Sequence, residues 1–98
     1  MKSNIIIFGI GHYGQKAYWK LKKEYHIISF ADNNSDVQGT FYQGIPVISG
    51  EELKNLDMSD TDIVICTRAY YQIGSQISGM GILSYYVTVS YTHLRAHE

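Results

Sequence analysis

The sequence predicts a doubly wound α/β fold, in which helices cover both faces of a parallel sheet of about five strands. Short apolar runs alternate along the 98 residues with segments of helical periodicity, and the first run ends in a glycine-rich turn. Strands that alternate with helices pair in parallel through right-handed crossovers. The strand order expected from this alternation is 3-2-1-4-5.

The first strand is predicted at residues 5–8, where three isoleucines and a phenylalanine form an uninterrupted apolar run. Such a run is typical of a strand that is buried on both faces of a parallel sheet. A helix is predicted from His12 to Glu24, because this segment contains no proline and apolar residues recur in it at helical spacing. The helix therefore begins inside the glycine-rich turn.

The second strand is predicted at residues 26–31, and it closes at Asp32-Asn33-Asn34, which are residues that favour turns. Residues 33–44 are polar and contain two glycines, so they are expected to form a loop. The third strand follows at residues 45–48, where Pro46 suits a strand start or a sheet edge.

Ser49 and Glu52 form a capping box that predicts the start of a short helix. The fourth strand, residues 62–66, repeats the apolar pattern of the first, and a fifth begins at residues 85–88. Between them lies an apolar stripe at helical spacing that ends at Gly81. Its members are Tyr70, Ile73, Ile77 and Met80.

The composition limits the classes of function. A chain of this length with 45% hydrophobic and 17% charged residues fits one packed domain. A net charge of -1 disfavours nucleic acid as a partner. The single cysteine, Cys66, excludes an internal disulfide, and the chain has no signal peptide and no apolar run long enough to span a membrane. A cytoplasmic location is expected.

The last ten residues, "VSYTHLRAHE", resemble the translation of an adapter that sequencing kits attach to DNA ends. We therefore expect a domain at residues 1–88, part of a longer protein, and a non-native tail at residues 89–98. Val89 is expected to extend the fifth strand, and the rest of the tail to be mobile or weakly docked. His93 and His97 have helical i, i+4 spacing but no third ligand, so no metal site is predicted.

Gly9, Gly11 and Gly14 follow a predicted strand and open a predicted helix, and Asp32 closes the second strand. In a dinucleotide-binding turn the first glycine makes the turn, the second lets a pyrophosphate approach, and the third lets helix and strand pack. The helix start would then face the anion, and Asp32 would accept hydrogen bonds from ribose hydroxyls. The alternative is a Rossmann-like scaffold whose glycines serve geometry alone.

Other polar residues near these strand ends are weaker candidates. His12 is either a phosphate or acid–base group or a solvated side chain at the helix start. Arg68 follows the fourth strand and is either an anion-binding group or a surface arginine. Cys66 is expected to be buried in the strand rather than nucleophilic. No catalytic residue is predicted.

The stretches "IIIFGIGHYGQKA", "IISFADNNSDVQGTFYQGIPVIS" and "DIVICT" carry a family resemblance. Over residues 4–88 the chain resembles the nucleotide-binding domain at the front of bacterial sugar acyltransferases of the left-handed β-helix type. Related polysaccharide-biosynthesis and nucleotide-sugar-modifying proteins contain a similar domain. The resemblance implies that this domain holds a nucleotide-sugar, while the acyl transfer chemistry belongs to a following domain.

By matching position, the resemblance implies that Gly9, Gly11 and His12 line the phosphate turn, and that Asp32 and Asn33 face the nucleoside or sugar. The family's second aspartate is an asparagine here, at position 33. The ligand expected from the sequence is a nucleotide-sugar or NAD(P). The expected partners are this small molecule and a further domain, and a homo-oligomer is compatible with the sequence.

The leading hypothesis is a binding domain of a surface-polysaccharide biosynthesis enzyme, not catalytic by itself. The alternative from another class is the N-terminal half of an NAD(P)-dependent oxidoreductase or sugar epimerase. A third is a docking module that binds no ligand, because a fold does not by itself imply a function.

Overall fold

The computed structural model describes residues 1–90 and 93–97, with the backbone alone for residues 89, 90 and 93–97. The helices are α1 (His12–Leu21), a 3₁₀ helix (Gly50–Asn55) and α2 (Tyr70–Ser78). The strands are β1 (Asn4–Phe8), β2 (His26–Asp32), β3 (Phe41–Tyr42), β4 (Ile45–Ser49), β5 (Thr61–Ile65), β6 (Tyr85–Ser90) and β7 (His93–His97).

These strands form one sheet in the order β3-β4-β2-β1-β5-β6-β7. The five inner strands pair in parallel, and their order is the predicted 3-2-1-4-5 when they are counted along the chain. The doubly wound α/β fold is therefore confirmed. The two outer strands, β3 and β7, are antiparallel to their neighbours.

Strand β3 lies in the segment that was predicted to be a loop. Phe41 pairs with Pro46 and Tyr42 with Ile45, so that Gln43 and Gly44 form a two-residue hairpin turn. Both turn residues have positive φ, 52° and 77°, as expected for the hairpin turn that matches strand twist. A strand of two residues is too short to show a periodic pattern, which explains why the sequence did not reveal it.

Strand β6 runs through Val89 to Ser90, as expected from the β-branched side chain at position 89. Residues 93–97 of the expected mobile or weakly docked tail form β7, which pairs with β6. The edge of β6 presents backbone N–H and C=O groups to any extended segment, so this pairing depends little on side chains. The side chains of His93 and His97 lie outside the described residues, and the origin of the tail stays a prediction.

The sheet separates two apolar layers. On β1, Ile6 and Phe8 point into the layer beneath α2 and the 3₁₀ helix, whereas Ile5 and Ile7 point into the layer beneath α1. All four side chains are at most 2% exposed. This burial on both faces accounts for the uninterrupted apolar run in the sequence.

The helices agree with the predicted patterns except at their ends. The capping box is present, with the Ser49 amide donating to Glu52 Oε2 at 2.7 Å and the Glu52 amide to Ser49 Oγ at 3.3 Å. Helix α1 ends at Leu21, before the predicted Glu24, and α2 ends at Ser78. Among the described residues, no helix is long and apolar enough to cross a bilayer.

Helix α1 packs closely on the turn that precedes it. Gly14 is buried, and a Cβ atom at this position would collide with the carbonyl oxygen of Gly9. That oxygen belongs to the backbone of the turn, so a rotamer change cannot relieve the collision. Relief would require α1 and the turn to move apart. The absence of a side chain at Gly14 thus sets how closely α1 approaches the end of β1.

We expect Gly14→Ala to lower the free energy of unfolding by about 3 kcal/mol or more, because overpacking against backbone cannot be relieved by a rotamer change. Gly11→Ala is the matched control, since its Cβ would meet nothing within 4 Å. Urea unfolding followed by circular dichroism measures both variants. Equal stability of the two variants would contradict the packing role of Gly14.

Candidate functional site

The carboxyl ends of β1, β2 and β5 and the start of α1 surround a cavity of about 440 Å³. In a doubly wound sheet this is the crevice in which ligands bind. Its lining residues come from these strand ends, from the start of α1 and from α2. They are Phe8, Gly9, Gly11, His12, Tyr13, Asp32, Asn33, Cys66, Thr67, Ala69, Gln72, Ile73 and Gln76.

The three glycines of the turn meet different constraints. Gly9 has a φ of +115°, and a Cβ there would lie 3.0 Å from the carbonyl oxygen of Cys66. Gly14 is constrained by the carbonyl of Gly9, as described above. Gly11 has a φ of -72°, which any residue adopts, and its Cβ would enter open space. The fold therefore requires glycine at positions 9 and 14 but not at position 11.

Gly11 is also the N-cap residue of α1, which begins at His12. In the described part of the chain no side chain caps this helix start, and no acidic residue occupies the first turn. The first amide groups of an α-helix have no acceptor within the helix, and the helix dipole adds partial positive charge there. The start of α1 consequently favours an anion in the cavity.

Asp32 joins the glycine turn to the loop that follows β2. Its Oδ2 accepts a hydrogen bond of 3.0 Å from the Ile10 amide, and its Oδ1 accepts one of 2.9 Å from the Asn34 amide. Each carboxylate oxygen can accept a further hydrogen bond. Asp32 therefore positions the turn and still presents acceptors at the cavity wall.

Asn33 forms a reciprocal amide pair with Gln76 of α2. Asn33 Nδ2 donates to Gln76 Oε1 at 2.8 Å, and Gln76 Nε2 donates to Asn33 Oδ1 at 3.1 Å. An aspartate at position 33 would place a carboxylate oxygen against Gln76 Oε1, where neither atom can donate. The asparagine that departs from the family's aspartate pair is thus matched to its partner on α2.

Arg68 lies beside the cavity, although it is not a lining residue. Its Nη2 and Nε donate to the Tyr13 hydroxyl at 2.9 and 3.3 Å, and its guanidinium carbon is 5.7 Å from the centroid of the Tyr13 ring. The Tyr13 ring also makes an edge contact with His12, with centroids 5.7 Å apart. Arg68 therefore contacts a lining residue of the cavity, Tyr13, without lining the cavity itself.

Cys66 is 2% exposed at the floor of the site, and burial raises the pKa of its thiol to about 12. Since the thiolate is the reactive form, this environment disfavours a nucleophilic role for Cys66. Among the residues that the structure describes, no three His, Cys, Asp or Glu side chains converge as a metal site would require. The polar groups of the cavity are suited to binding.

The structure brings most of the candidate residues together. Gly9, Gly11, His12, Asp32 and Asn33 line the cavity, Gly14 packs below it, and Arg68 lies beside Tyr13. Sequence reasoning missed Tyr13, Thr67 and the two glutamines of α2. Gln72 and Gln76 have i, i+4 spacing and thus share one helix face, a signal that the apolar stripe of α2 obscured.

The strand order and the position of the cavity define a Rossmann-like fold. A family model described as C2185-like, N-terminal matches residues 1–88, and the chain belongs to this family. A comparison with curated proteins finds no match.

Several solved structures share the fold. UDP-D-quinovosamine 4-dehydrogenase from Vibrio fischeri superposes with a TM-score of 0.80 at 16% identity, covering 100% of this chain and 95% of that one. RSP in complex with β-NADH has a TM-score of 0.69 at 19% identity over 90% of this chain and 46% of that one. The acetyltransferase domain of PglB from Neisseria gonorrhoeae, in complex with acetyl coenzyme A, has a TM-score of 0.59 at 20% identity. There the match covers 84% of this chain and 42% of the other.

We expect Cys66 in the native protein to be unreactive towards Ellman's reagent at about pH 8, and to react once guanidinium unfolds the chain. Its folded pKa lies above the ordinary value, so protonation of the buried thiol contributes stability that is fully present at neutral pH. That contribution declines as the pH rises above about 8.5 towards the folded pKa. Fast labelling of the native protein would show that the thiol is accessible.

Proposed function

We propose that this chain is a binding domain for a nucleotide-sugar, and that it serves a surface-polysaccharide biosynthesis protein without being catalytic by itself. The observation that carries the proposal is Gly11. It is the glycine of the turn that the fold does not require, and it faces the open cavity. A ligand that approaches the backbone closely gives a physical reason for a glycine at this position.

The charge distribution around Gly11 supports a phosphate group as the part of the ligand that lies there. The start of α1 offers helix amides and partial positive charge. Arg68, held by the Tyr13 hydroxyl, adds a guanidinium beside the cavity. Guanidinium groups bind phosphate oxygens through charge-assisted hydrogen bonds. A diphosphate between Gly11 and Arg68 would be held on both sides.

Asp32 and Asn33 support a nucleoside on the β2 side of the same cavity. The Asp32 carboxylate keeps acceptors for ribose hydroxyls, and the Asn33–Gln76 pair supplies amide donors and acceptors. A volume of about 440 Å³ falls within the range of small-molecule sites. His12, which lines the same cavity, is proposed as a contact to the phosphates.

One structural neighbour is named for a nucleotide-sugar, and another is named for acetyl transfer. The first is a UDP-D-quinovosamine 4-dehydrogenase, and the second is the acetyltransferase domain of PglB. These names match the family resemblance of the sequence, which also points to proteins that modify nucleotide-sugars. Acyl transfer would belong to a further domain, as the family resemblance of the sequence implies.

A second candidate function is dinucleotide binding, as the N-terminal half of an NAD(P)-dependent oxidoreductase or sugar epimerase. RSP in complex with β-NADH favours it, because its fold superposes on 90% of this chain. The acidic residue that closes β2 is also the usual ribose ligand of NAD-binding domains. A direct comparison of the two ligands separates the candidates.

We expect Gly11→Val to abolish binding of UDP-N-acetylglucosamine, and of NAD if that is the ligand, because the side chain would fill the space where phosphate approaches. The fold should survive with a loss of about 1 kcal/mol, the cost of valine at a helix N-cap. Isothermal titration calorimetry measures binding, and thermal unfolding measures stability.

Gly39→Ala is the matched control for Gly11→Val. Gly39 has a φ of +82° and open space around it, so alanine there costs about 1–2 kcal/mol of backbone strain away from the cavity. This variant should bind as the wild type does. Equal affinity of Gly11→Val and wild type for a ligand that the wild type binds would disprove the phosphate-turn role.

We expect NAD or UDP-N-acetylglucosamine to bind more tightly than NADP. The Asp32 carboxylate accepts hydrogen bonds from ribose hydroxyls but repels a 2′-phosphate. Competition titrations with the three ligands at equal ionic strength measure the preference. Tighter binding of NADP would remove Asp32 from the ribose site.

A further inference from the structure

The near-neutral net charge of the chain hides a segregated charge distribution. Residues 1–23 contain five lysines and no aspartate or glutamate, and the first acidic residue is Glu24. Four of these lysines belong to α1 and the turn that follows it, at positions 16, 20, 22 and 23, and all four are exposed. One side of the domain is therefore strongly basic.

Glu51 and Glu52 lie on the opposite face of the sheet from the lysines of α1, whereas Glu24 directly follows Lys23 in the chain. Helix α1 covers the apolar layer that contains Ile5 and Ile7, whereas the 3₁₀ helix covers the opposite layer through Leu53. Glu51 and Glu52 belong to that 3₁₀ helix. The acidic groups of the 3₁₀ helix consequently do not neutralise the outer face of α1.

An exposed aromatic ring lies among the lysines of α1. Trp19 is 48% exposed, its Nε1 donates to the Tyr42 hydroxyl at 3.1 Å, and the Lys22 ammonium lies 4.9 Å from its ring centroid. Lys16 is three residues before Trp19, so the two side chains are neighbours on the helix surface. The indole is thus held in place with half of its surface outward.

We propose that the outer face of α1, defined by Lys16, Trp19, Lys20, Lys22 and Lys23, docks on an anionic lipid surface. Lysines near such a surface are attracted to its negative potential, and tryptophan prefers the headgroup level of a bilayer. A basic helix face of this kind is typical of membrane-surface contact. The attachment is peripheral and reversible.

The shape of the face favours lipid over single-stranded nucleic acid. The outer surface of a helix that lies on a sheet is convex, and it meets a broad surface along its length. Proteins that bind single strands hold them in a groove where several aromatic rings stack on bases. Trp19 is the single tryptophan of the chain, and its Nε1 is already paired with Tyr42.

This docking is independent of the nucleotide-binding proposal. The lysines begin one helical turn after the cavity residues and continue away from them along α1. Gly11→Val should therefore dock on lipid as the wild type does. If the protein bound no nucleotide, the proposed function would fail, and lipid docking would still be decided by the vesicle experiment.

The test uses the full chain with vesicles of phosphatidylcholine alone and vesicles that also contain phosphatidylglycerol. We expect co-sedimentation with the anionic vesicles, a blue shift of Trp19 fluorescence on binding, and release by added salt. Lys20→Gln/Lys23→Gln should weaken the partition about 25-fold, about fivefold for each lysine near the surface.

Lys2→Gln/Lys54→Gln is the matched control, because it removes the same charge from positions outside α1. Lys2 Nζ donates to the Met58 carbonyl, and Lys54 pairs with Glu51 on the 3₁₀ helix. This variant should bind vesicles within about twofold of the wild type. Both double variants should show unchanged unfolding midpoints.

Three results would overturn the proposal. One is no binding and no fluorescence shift with anionic vesicles at low salt. Another is an equal loss in the two double variants, which would reveal an effect of net charge alone. The third is binding to duplex DNA as tight as to the vesicles, which would identify a general polyanion surface.

Discussion

The contact between α1 and the glycine turn is the constraint on which the site depends. Because Gly14 has no side chain, α1 lies against the carbonyl of Gly9, and the helix start is brought to the end of β1. Asp32 holds the other side of the same turn through the Ile10 amide. The turn is thus held on one side by its contact with α1 and on the other by its hydrogen bond to Asp32 of β2. Gly11 lies between these two contacts in the sequence and faces the cavity.

The parallel part of the fold could be predicted because each of its strands contains a short apolar run in the sequence. Residues 5–8 and 62–66 are the clearest of these runs, and their alternation with helices predicts parallel pairing. The outer strands left no comparable pattern. Phe41–Tyr42 has two residues, and β7 pairs through its backbone at the edge of β6.

Residues of the site could be predicted where the local backbone requires a particular residue type. The roles of Gly9 and Gly14, and the place of Asp32 at the end of β2, follow from the spacing of the motif. The contribution of Gln72 and Gln76 of α2 to the cavity could not be predicted, because it depends on how a helix distant in sequence lies across the sheet. Arg68 and Tyr13 are likewise brought together by tertiary structure, since 55 residues separate them.

The amide pair between Asn33 and Gln76 has a consequence for how this site can evolve. A Cβ at Gly50 would lie 2.5 Å from Asn33 Oδ1 and 2.7 Å from Gln76 Nε2, so the pair occupies the space that a side chain at position 50 would need. Three positions on different elements are therefore mutually dependent. Homologues that carry an acidic residue at position 33 should show correlated replacement at position 76. A side chain at position 50 would require movement of the pair and also of the Phe8 ring, whose Cζ would lie 2.8 Å from the new Cβ.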